Sequence, residues 1–497
     1  MISDKPLPPG WTEAALPDIA EVNPPNPSSL LTDDTLVSFV PMAAVEALSG
    51  RLDASNIQPW NRVKKGYTRF QDGDVLFAKI TPSMENGKAA VARNLSKGVG
   101  AGSTEFHVLR PGPALQPELL LHYLLQEGFR KAARARMTGT AGQLRVPSRF
   151  LDEQTVPLPP RLEQHRVVEA IESYFTRLDD AVATLERVQR NLRRYRASVL
   201  KAAVEGRLVP TEAELARAED RDYEPASALL ERILAERRRL WEEAELAKMK
   251  AKGKVPKDDK WKAKYGEPLA PDASDSPELP EGWCWASPGQ FFSWSSGEFL
   301  PKKAQKQGAV PVLGGNGVNG FHDLALVIEP TLVVGRVGAQ CGNIHLTDGP
   351  AWITDNAIYA SEGGEVAVLP FWRIVMSLKH LNANAGGTGQ PYVNQKHLND
   401  LVVALPPEAE QRRIVAAVET LVSVADHMSE TLKSNAEQCT RLRQSILKWA
   451  FEGRLVDQDL SEEPASVLLT RIHAERQSSN GNPPKPRGRR NAKSTNS

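Results

Sequence analysis

Residues 158–172 read LPPRLEQHRVVEAIE, and residues 405–419 read LPPEAEQRRIVAAVE. Nine of these fifteen positions are identical, without a gap, at an offset of 247. The offset persists downstream. RYRASVLKAAVEGRLV (194–209) and RLRQSILKWAFEGRLV (441–456) share eleven of sixteen residues. After an eight-residue slip, EPASALLERILAER (224–237) and EPASVLLTRIHAER (463–476) share eleven of fourteen. Upstream, LPPGW at 7–11 has its counterpart in LPEGW at 279–283. Four blocks in one order are a tandem duplication of a unit of roughly 200–270 residues. Between the blocks, residues 12–142 and 284–389 have diverged. Similar frames with different contents imply a common scaffold carrying two different readers.

Each LPP opens a stretch without proline or glycine that ends at Gly206 or Gly453, the punctuation of one long helix. Counting heptads from Ile171, the a and d positions are Ile171, Tyr174, Leu178, Ala181, Leu185, Val188, Leu192, Tyr195, Val199 and Ala202. Their counterparts are Val418, Leu421, Ala425, Met428, Leu432, Asn435, Cys439, Leu442, Ile446 and Trp449. Nineteen of the twenty are apolar or aromatic, which is a coiled-coil seam. Asn435 either sets register in that seam or lies exposed at a frayed point. The expected fold is mixed α/β: two globular domains separated by two equivalent helices that pack as an antiparallel coiled coil with pseudo-twofold symmetry. At 1.5 Å per residue the seam is about 47 Å long, the span of about 14 base pairs.

The 497 residues carry a net charge of +1, 41% hydrophobic and 25% charged residues, so a core can be built and a disordered chain is excluded. No apolar run reaches the length of a membrane span, and the MISDKPLPPGW start lacks the pattern of a secretory signal. Cys284, Cys341 and Cys439 are scattered thiols, consistent with a reducing cytoplasm and no zinc site.

The charge is uneven. Residues 60–150 hold fifteen Lys or Arg against six acids. Arg62, Lys64, Lys65, Tyr67 and Arg69 cluster before one strand. Arg130, Lys131, Arg134, Arg136 and Arg145 flank a polar run containing Thr138, Thr140 and Gln143. Such an excess suits phosphate contact. Residues 285–404 hold seven basic and eight acidic groups and do not repeat it. Their candidacy rests on the duplication and on a polar run with Thr388 and Gln390 in the equivalent place. Two buried-strand candidates end in a cation: GDVLFAKITP (73–82) with Lys79, and TLVVGRVGA (331–339) with Arg336, followed by Gln340 and Asn343. Residues 231–264, with twelve basic and seven acidic groups, begin as an amphipathic helix and break into a mobile basic strip.

Catalytic motifs are missing. The Asn-Pro-Pro runs at 23–26 and 482–485 lack the aromatic residue that would stack on a flipped base. GNGVNG (315–320) satisfies GxGxxG but reads as a tight turn between strands, not as a dinucleotide site. The histidines show no metal-ligand spacing. No catalytic residue and no metal ligand is assigned.

The two LPP-x-x-E-Q-x-R starts, the S-[VI]-L-K-x-A-x-E-G-R-L-V ends, the LPxGW openings and the GDVLFAK strand resemble the specificity subunits of type I restriction-modification systems. The resemblance spans nearly the whole chain. It implies target recognition domains at 1–160 and 276–407 and spacer helices at 161–206 and 408–453. Between and after them it leaves a charged helical region with a linker at 207–275, a helical segment at 454–477 and a disordered basic tail at 478–497. It further implies a non-catalytic subunit whose domains read the halves of a bipartite site on double-stranded DNA. The implied partners are two methyltransferase subunits holding S-adenosylmethionine and two motor-nuclease subunits using ATP and Mg, in a prokaryotic cytoplasm, with no membrane. The other readings are a coiled-coil scaffold without sequence-specific DNA binding and a self-contained methyltransferase.

Overall fold

The computed structural model describes residues 6–25, 31–140, 142–253, 256, 258–338, 340–363, 367–379, 381 and 392–480. The chain forms two compact units, one of residues 1–186 with 433–497, the other of residues 187–432. Each therefore draws on both halves of the duplication and crosses the boundaries expected from sequence.

The strands of the first unit are β1 (Thr12–Ala15), β2 (Ala20–Val22), β3 (Leu36–Val40), β4 (Ile57–Pro59), β5 (Thr68–Gln71), β6 (Val75–Ala78), β7 (Ala89–Val91), β8 (Val99–Gly102), β9 (Phe106–Pro111) and β10 (Thr155–Leu158). One antiparallel sheet has the order β2-β9-β6-β7. The other has the order β4-β3-β8-β5, with β3 and β8 parallel. The apolar run Val75–Ala78 is buried on both faces, as a continuous run predicts. Leu76, with Phe70, Ala90, Phe106 and Val108, fills the space between the sheets. Val75 and Phe77 face Leu119, Leu120, Leu124 and Phe129 of the helices Pro117–Leu124 and Glu127–Ala135.

The second unit holds β11 (Cys284–Ala286), β12 (Ser293–Ser296), β13 (Val310–Gly314), β14 (Gly317–His322), β15 (Leu332–Gly335), β16 (Ile344–Leu346), β17 (Trp352–Ile353), β18 (Ala357–Glu362) and β19 (Val403–Leu405). Its sheets run β12-β18-β15-β16, again all antiparallel, and β14-β13-β17, again with one parallel pair, β13 and β17. Strand for strand this is the topology of the first unit, less the edge strand β5. GNGVNG supplies the two-residue turn between β13 and β14, as expected. In both units the incoming and outgoing strands pair: Thr12 opposes Leu158 and Cys284 opposes Leu405. Each insert thus leaves the frame and returns to it at one place.

The repeated motifs interlock. In the first unit the Trp11 indole donates to Glu163 at 3.0 Å, and Ala465 donates its N–H to the Gly10 carbonyl. In the second, the Trp283 indole donates to Glu410 at 3.0 Å, and Ala226 donates to Gly282. Gln164 and Gln411 donate to the Pro159 and Pro406 carbonyls at the helix starts. The helix-ending glycines have φ near +65°, and a Cβ on them would strike Pro8 from Gly453 and Pro280 from Gly206. The LPxGW, E-Q, EGRLV and EPAS blocks are therefore one joint, built once per unit.

The long helices span Arg161–Val204 and Glu408–Phe451. In the first unit Ile171, Phe175 and Leu178 share a core with Ile446, Leu447 and Ala450. In the second, Val199 and Ala203 share one with Ile414, Val415 and Val418. Early residues of one helix meet late residues of the other, so they run antiparallel.

The seam differs from the heptads in one respect. Ile171, Val199, Val418, Ala425 and Ile446 are buried, and Leu178, Leu185, Val188, Leu192, Ala202, Leu421, Leu432 and Cys439 half-buried. Tyr174, Ala181, Tyr195, Met428, Asn435, Leu442 and Trp449 lie exposed. Phe175, Val182, Ala436, Arg443 and Ala450, one residue later than the expected seam members, take the inward places. A seven-residue repeat permits either a 3-4 or a 4-3 spacing. Phe175 fills an apolar place without the hydroxyl that Tyr174 keeps in water. Asn435 consequently sets no register.

The region 207–275 begins as helices. A helix Glu212–Glu219, capped by Thr211 and Glu214, is followed by Ala226–Ala251, whose Ala226, Leu229 and Ile233 are buried in the second unit's core. Ala465 and Ile472 of the helix Ala465–Asn480 are likewise part of the first unit's core.

Candidate nucleic-acid interface

In the first unit the candidate residues fall into two groups. The first lies on the outer layer of the β4-β3-β8-β5 sheet. The short helix Trp60–Val63 packs Trp60 and Val63 against Val37, Val99 and Ala101. Arg62 and Lys65 project from it, both exposed. Lys64 pairs with Asp33 at 2.6 Å. The Arg69 guanidinium lies 5.7 Å from the Trp60 ring. Tyr67 stands edge-on to Phe39 at 5.0 Å and is 41% exposed. Cations interleaved with aromatic rings on one face can take a phosphate and stack against a base or sugar.

The second group gathers at the end of β6. Lys79 follows that strand, and its carbonyl accepts from the Val146 N–H. Thr138 bridges Arg145, and Ile80 also bridges Arg145, closing a loop that displays Thr138, Thr140 and Gln143 to solvent. Gly139 at φ +131 and Gly142 at φ +83 shape that loop. The Arg145 guanidinium donates to Glu105 at 2.8 Å and holds that carboxyl below its usual range. Arg134 pairs with Glu85 at 3.3 Å and Arg136 with Glu153 at 3.7 Å. Two acids of the charge tally, Glu85 and Glu105, thus engage Arg134 and Arg145, while Lys64 and Arg136 find Asp33 and Glu153 outside the counted stretch, pairings that a count of charges does not show. Exposed pairs of this kind are worth about 0–1 kcal/mol, so a phosphate can replace the carboxylate at little cost.

The second unit repeats the loop frame. Arg336 follows β15 as Lys79 follows β6, and its carbonyl accepts from the Val393 N–H, 247 residues beyond Val146. The Arg336 guanidinium reaches Ser296 at 3.5 Å. Asn343 donates to Gln340 at 2.6 Å, so these two amides engage each other. Thr388 and Gln390 lie outside the described residues. In place of clustered cations this domain exposes apolar side chains: Val318 and Phe321 on β14, Leu324 just after it, and Phe299 and Ile328 elsewhere. A reading weighted on charge passed over them; the signal was Val318 and Phe321 in the strand that follows the glycine turn.

The profile of the type I restriction modification DNA specificity domain matches residues 8–188 and 280–438. The specificity subunits of the type I restriction enzymes EcoAI and EcoEI of Escherichia coli are each 27% identical to the chain, over 86% of it and 80% of their own length. The StySPI specificity subunit of Salmonella potsdam is 23% identical over 96% of the chain and 97% of its own. A chain in a solved structure of the type I restriction-modification system superposes with a TM-score of 0.60 at 20% identity, covering 90% of this chain and 100% of that one. That superposition is a likeness of fold.

Proposed function

Because the chain belongs to the family of type I restriction-modification DNA specificity subunits, which specify a target and do not catalyse, we propose that each of its two recognition domains reads one half of a bipartite site on double-stranded DNA. One observation carries this reading. Two inserts of diverged sequence hold the same sheet order, but for one edge strand, and leave a duplicated frame through the same strand pair. A frame repeated without its contents suits two readers of different sequences. In the first domain, Arg62, Lys64, Lys65, Tyr67 and Arg69 contact one stretch of backbone. Lys79, Arg134, Arg136, Thr138, Thr140, Gln143 and Arg145 approach phosphates and base edges from the end of β6. In the second, Arg336, Gln340, Asn343, Thr388 and Gln390 serve the corresponding role. The side-chain types suit these roles: arginine pairs bidentately with guanine, glutamine and asparagine with adenine.

The working assembly in this reading adds two methyltransferase subunits, which hold S-adenosylmethionine and methylate adenine N6, and two motor-nuclease subunits, which use ATP and Mg. It acts in a prokaryotic cytoplasm. Among the described residues no helix is long and apolar enough to cross a membrane. The test is single-molecule methylation sequencing of DNA from cells expressing the chain with a partner methyltransferase, against cells without the chain. A bipartite motif carrying N6-methyladenine on both strands, present only with the chain, is expected. No new motif despite confirmed assembly would refute the reading.

A further inference from the structure

The helix Ala226–Ala251 is rooted in the second unit's core through Ala226, Leu229 and Ile233, and beyond them it is no longer buried. Arg237 donates to the Gly289 carbonyl at 2.8 Å and to Ser293 at 3.3 Å, fixing the root on the second recognition domain. No described residue from 234 to 281 is fully buried. From residue 258 on the chain is not the mobile strip expected. It turns back through Asp259–Lys264 and is pinned along the helix. Trp261 stacks on Trp241 at 6.1 Å, and Tyr265 packs on Trp241 at 5.3 Å. Lys262 pairs with Glu242 at 3.3 Å and Arg238 with Glu267 at 3.0 Å.

Arg238 and Arg239 are neutralised by Glu236, Glu242 and Glu243. Beyond them, the described residues of 248–264 include six Lys and two Asp. Among the described residues, Lys250, Lys252 and Lys264 have no acidic group within ion-pair reach. Lys248 and Lys260 have only loose pairs, at 3.8 and 3.6 Å. A pinned display of lysines fits a polyanion.

We propose that this hairpin, in its described residues 238–253 and 258–267, is a phosphate-backbone clamp for the DNA engaged by the second recognition domain, an inference that rests on the DNA-specificity reading above. Two observations favour DNA over a protein partner. Protein interfaces are depleted in Lys and use aromatic residues as anchors. Here Trp241, Trp261 and Tyr265 are spent on one another, and the face offered outward is lysine. Moreover, the recognition domain in the same unit holds seven basic against eight acidic groups, whereas residues 60–150 of the first hold fifteen against six. The hairpin supplies cations where the second domain lacks them.

The test uses the complex assembled with its methyltransferase subunits and a duplex carrying the methylated motif. Lys248, Lys250, Lys252, Lys260 and Lys264 are changed together to Gln, and in a second variant to Arg. Binding is followed by fluorescence anisotropy across a salt series. The Gln variant is expected to bind about tenfold more weakly at low salt, with the log–log salt slope shallower by about 0.9 for each phosphate no longer neutralised. The recognised sequence should not change, and the Arg variant should restore both affinity and slope. A Gln variant with the wild-type slope would overturn the clamp. So would its failure to assemble with the methyltransferase, which would make the hairpin a protein-docking element. A wild-type complex that binds without sequence preference would refute the specificity reading, and the slopes would still decide the clamp.

Discussion

His122 lies wholly buried on the helix Pro117–Leu124, edge-on to Phe175 at 5.7 Å, with no hydrogen-bond partner for either ring nitrogen among the described residues. Burial, with the Arg443 charge nearby, pushes its pKa from 6.5 down to about 4. A group whose folded value is depressed contributes stability above its unfolded value and loses it as pH falls through the folded one. The first unit should therefore weaken from pH 6.5 downward, by up to about 3 kcal/mol near pH 4. His122→Phe should be tolerated at pH 7 and flatten that acid limb in urea unfolding; equal pH slopes in the two proteins would refute the assignment. A second residue-level expectation concerns the joint. Glu163 accepts from Trp11 alone among the hydrogen bonds described, whereas Glu410 accepts from Trp283 and also from the Glu212 N–H at 2.8 Å. Trp11→Phe should then cost about 1–3 kcal/mol and Trp283→Phe less, by differential scanning calorimetry. The sequence marks these residues as repeated motifs. It does not say that LPxGW and E-Q touch, because the contact joins residues 152 and 127 positions apart.

At the scale of elements, the long helices carry one ion pair twice. Asp179 meets Arg443 in the first unit, and Asp426, 247 residues beyond Asp179, meets Arg196, 247 residues before Arg443, in the second at 2.8 Å. Such a pair fixes antiparallel register, because each Asp finds its Arg only in that alignment. The copies differ in surroundings. The Arg443 side chain is 15% exposed and lies over the Phe175 ring at 4.4 Å; that of Arg196 is 51% exposed. An exposed pair contributes under about 1 kcal/mol, whereas a charge-assisted bond with a cation–π contact, partly desolvated, contributes about 2–3. Arg443→Ala should therefore destabilise the protein markedly more than Arg196→Ala in thermal unfolding; equal losses would show that the aromatic contact adds nothing. The helices themselves were legible from period and punctuation. The phase of the seam was not, because periodicity alone cannot choose between Tyr174 and Phe175.

At the scale of the whole molecule, the duplication was legible because its blocks serve one joint and drift little, while the shared sheet order was not. Strands such as β6 and β15 keep a buried apolar run and change its residues, so alignment fades while topology stays. The interface was legible only as a charge excess, since ion pairing with Glu85, Glu105 and Glu153 depends on folding. The strand pairs β1–β10 and β11–β19 locate the border between frame and contents, and this gives a test of modularity. Replacing residues 16–154, inside the β1–β10 pair, with the equivalent segment of another family member leaves Trp11, Glu163 and the helices intact. The graft should assemble with the methyltransferase and change one half of the methylated motif, leaving the other half as before, in methylation sequencing. A graft cut at residues 36–111 divides the β2-β9-β6-β7 sheet from its helices and should not yield soluble protein. If the first graft altered both halves of the motif, the two domains would not be reading independently, and the common topology would serve assembly and not recognition.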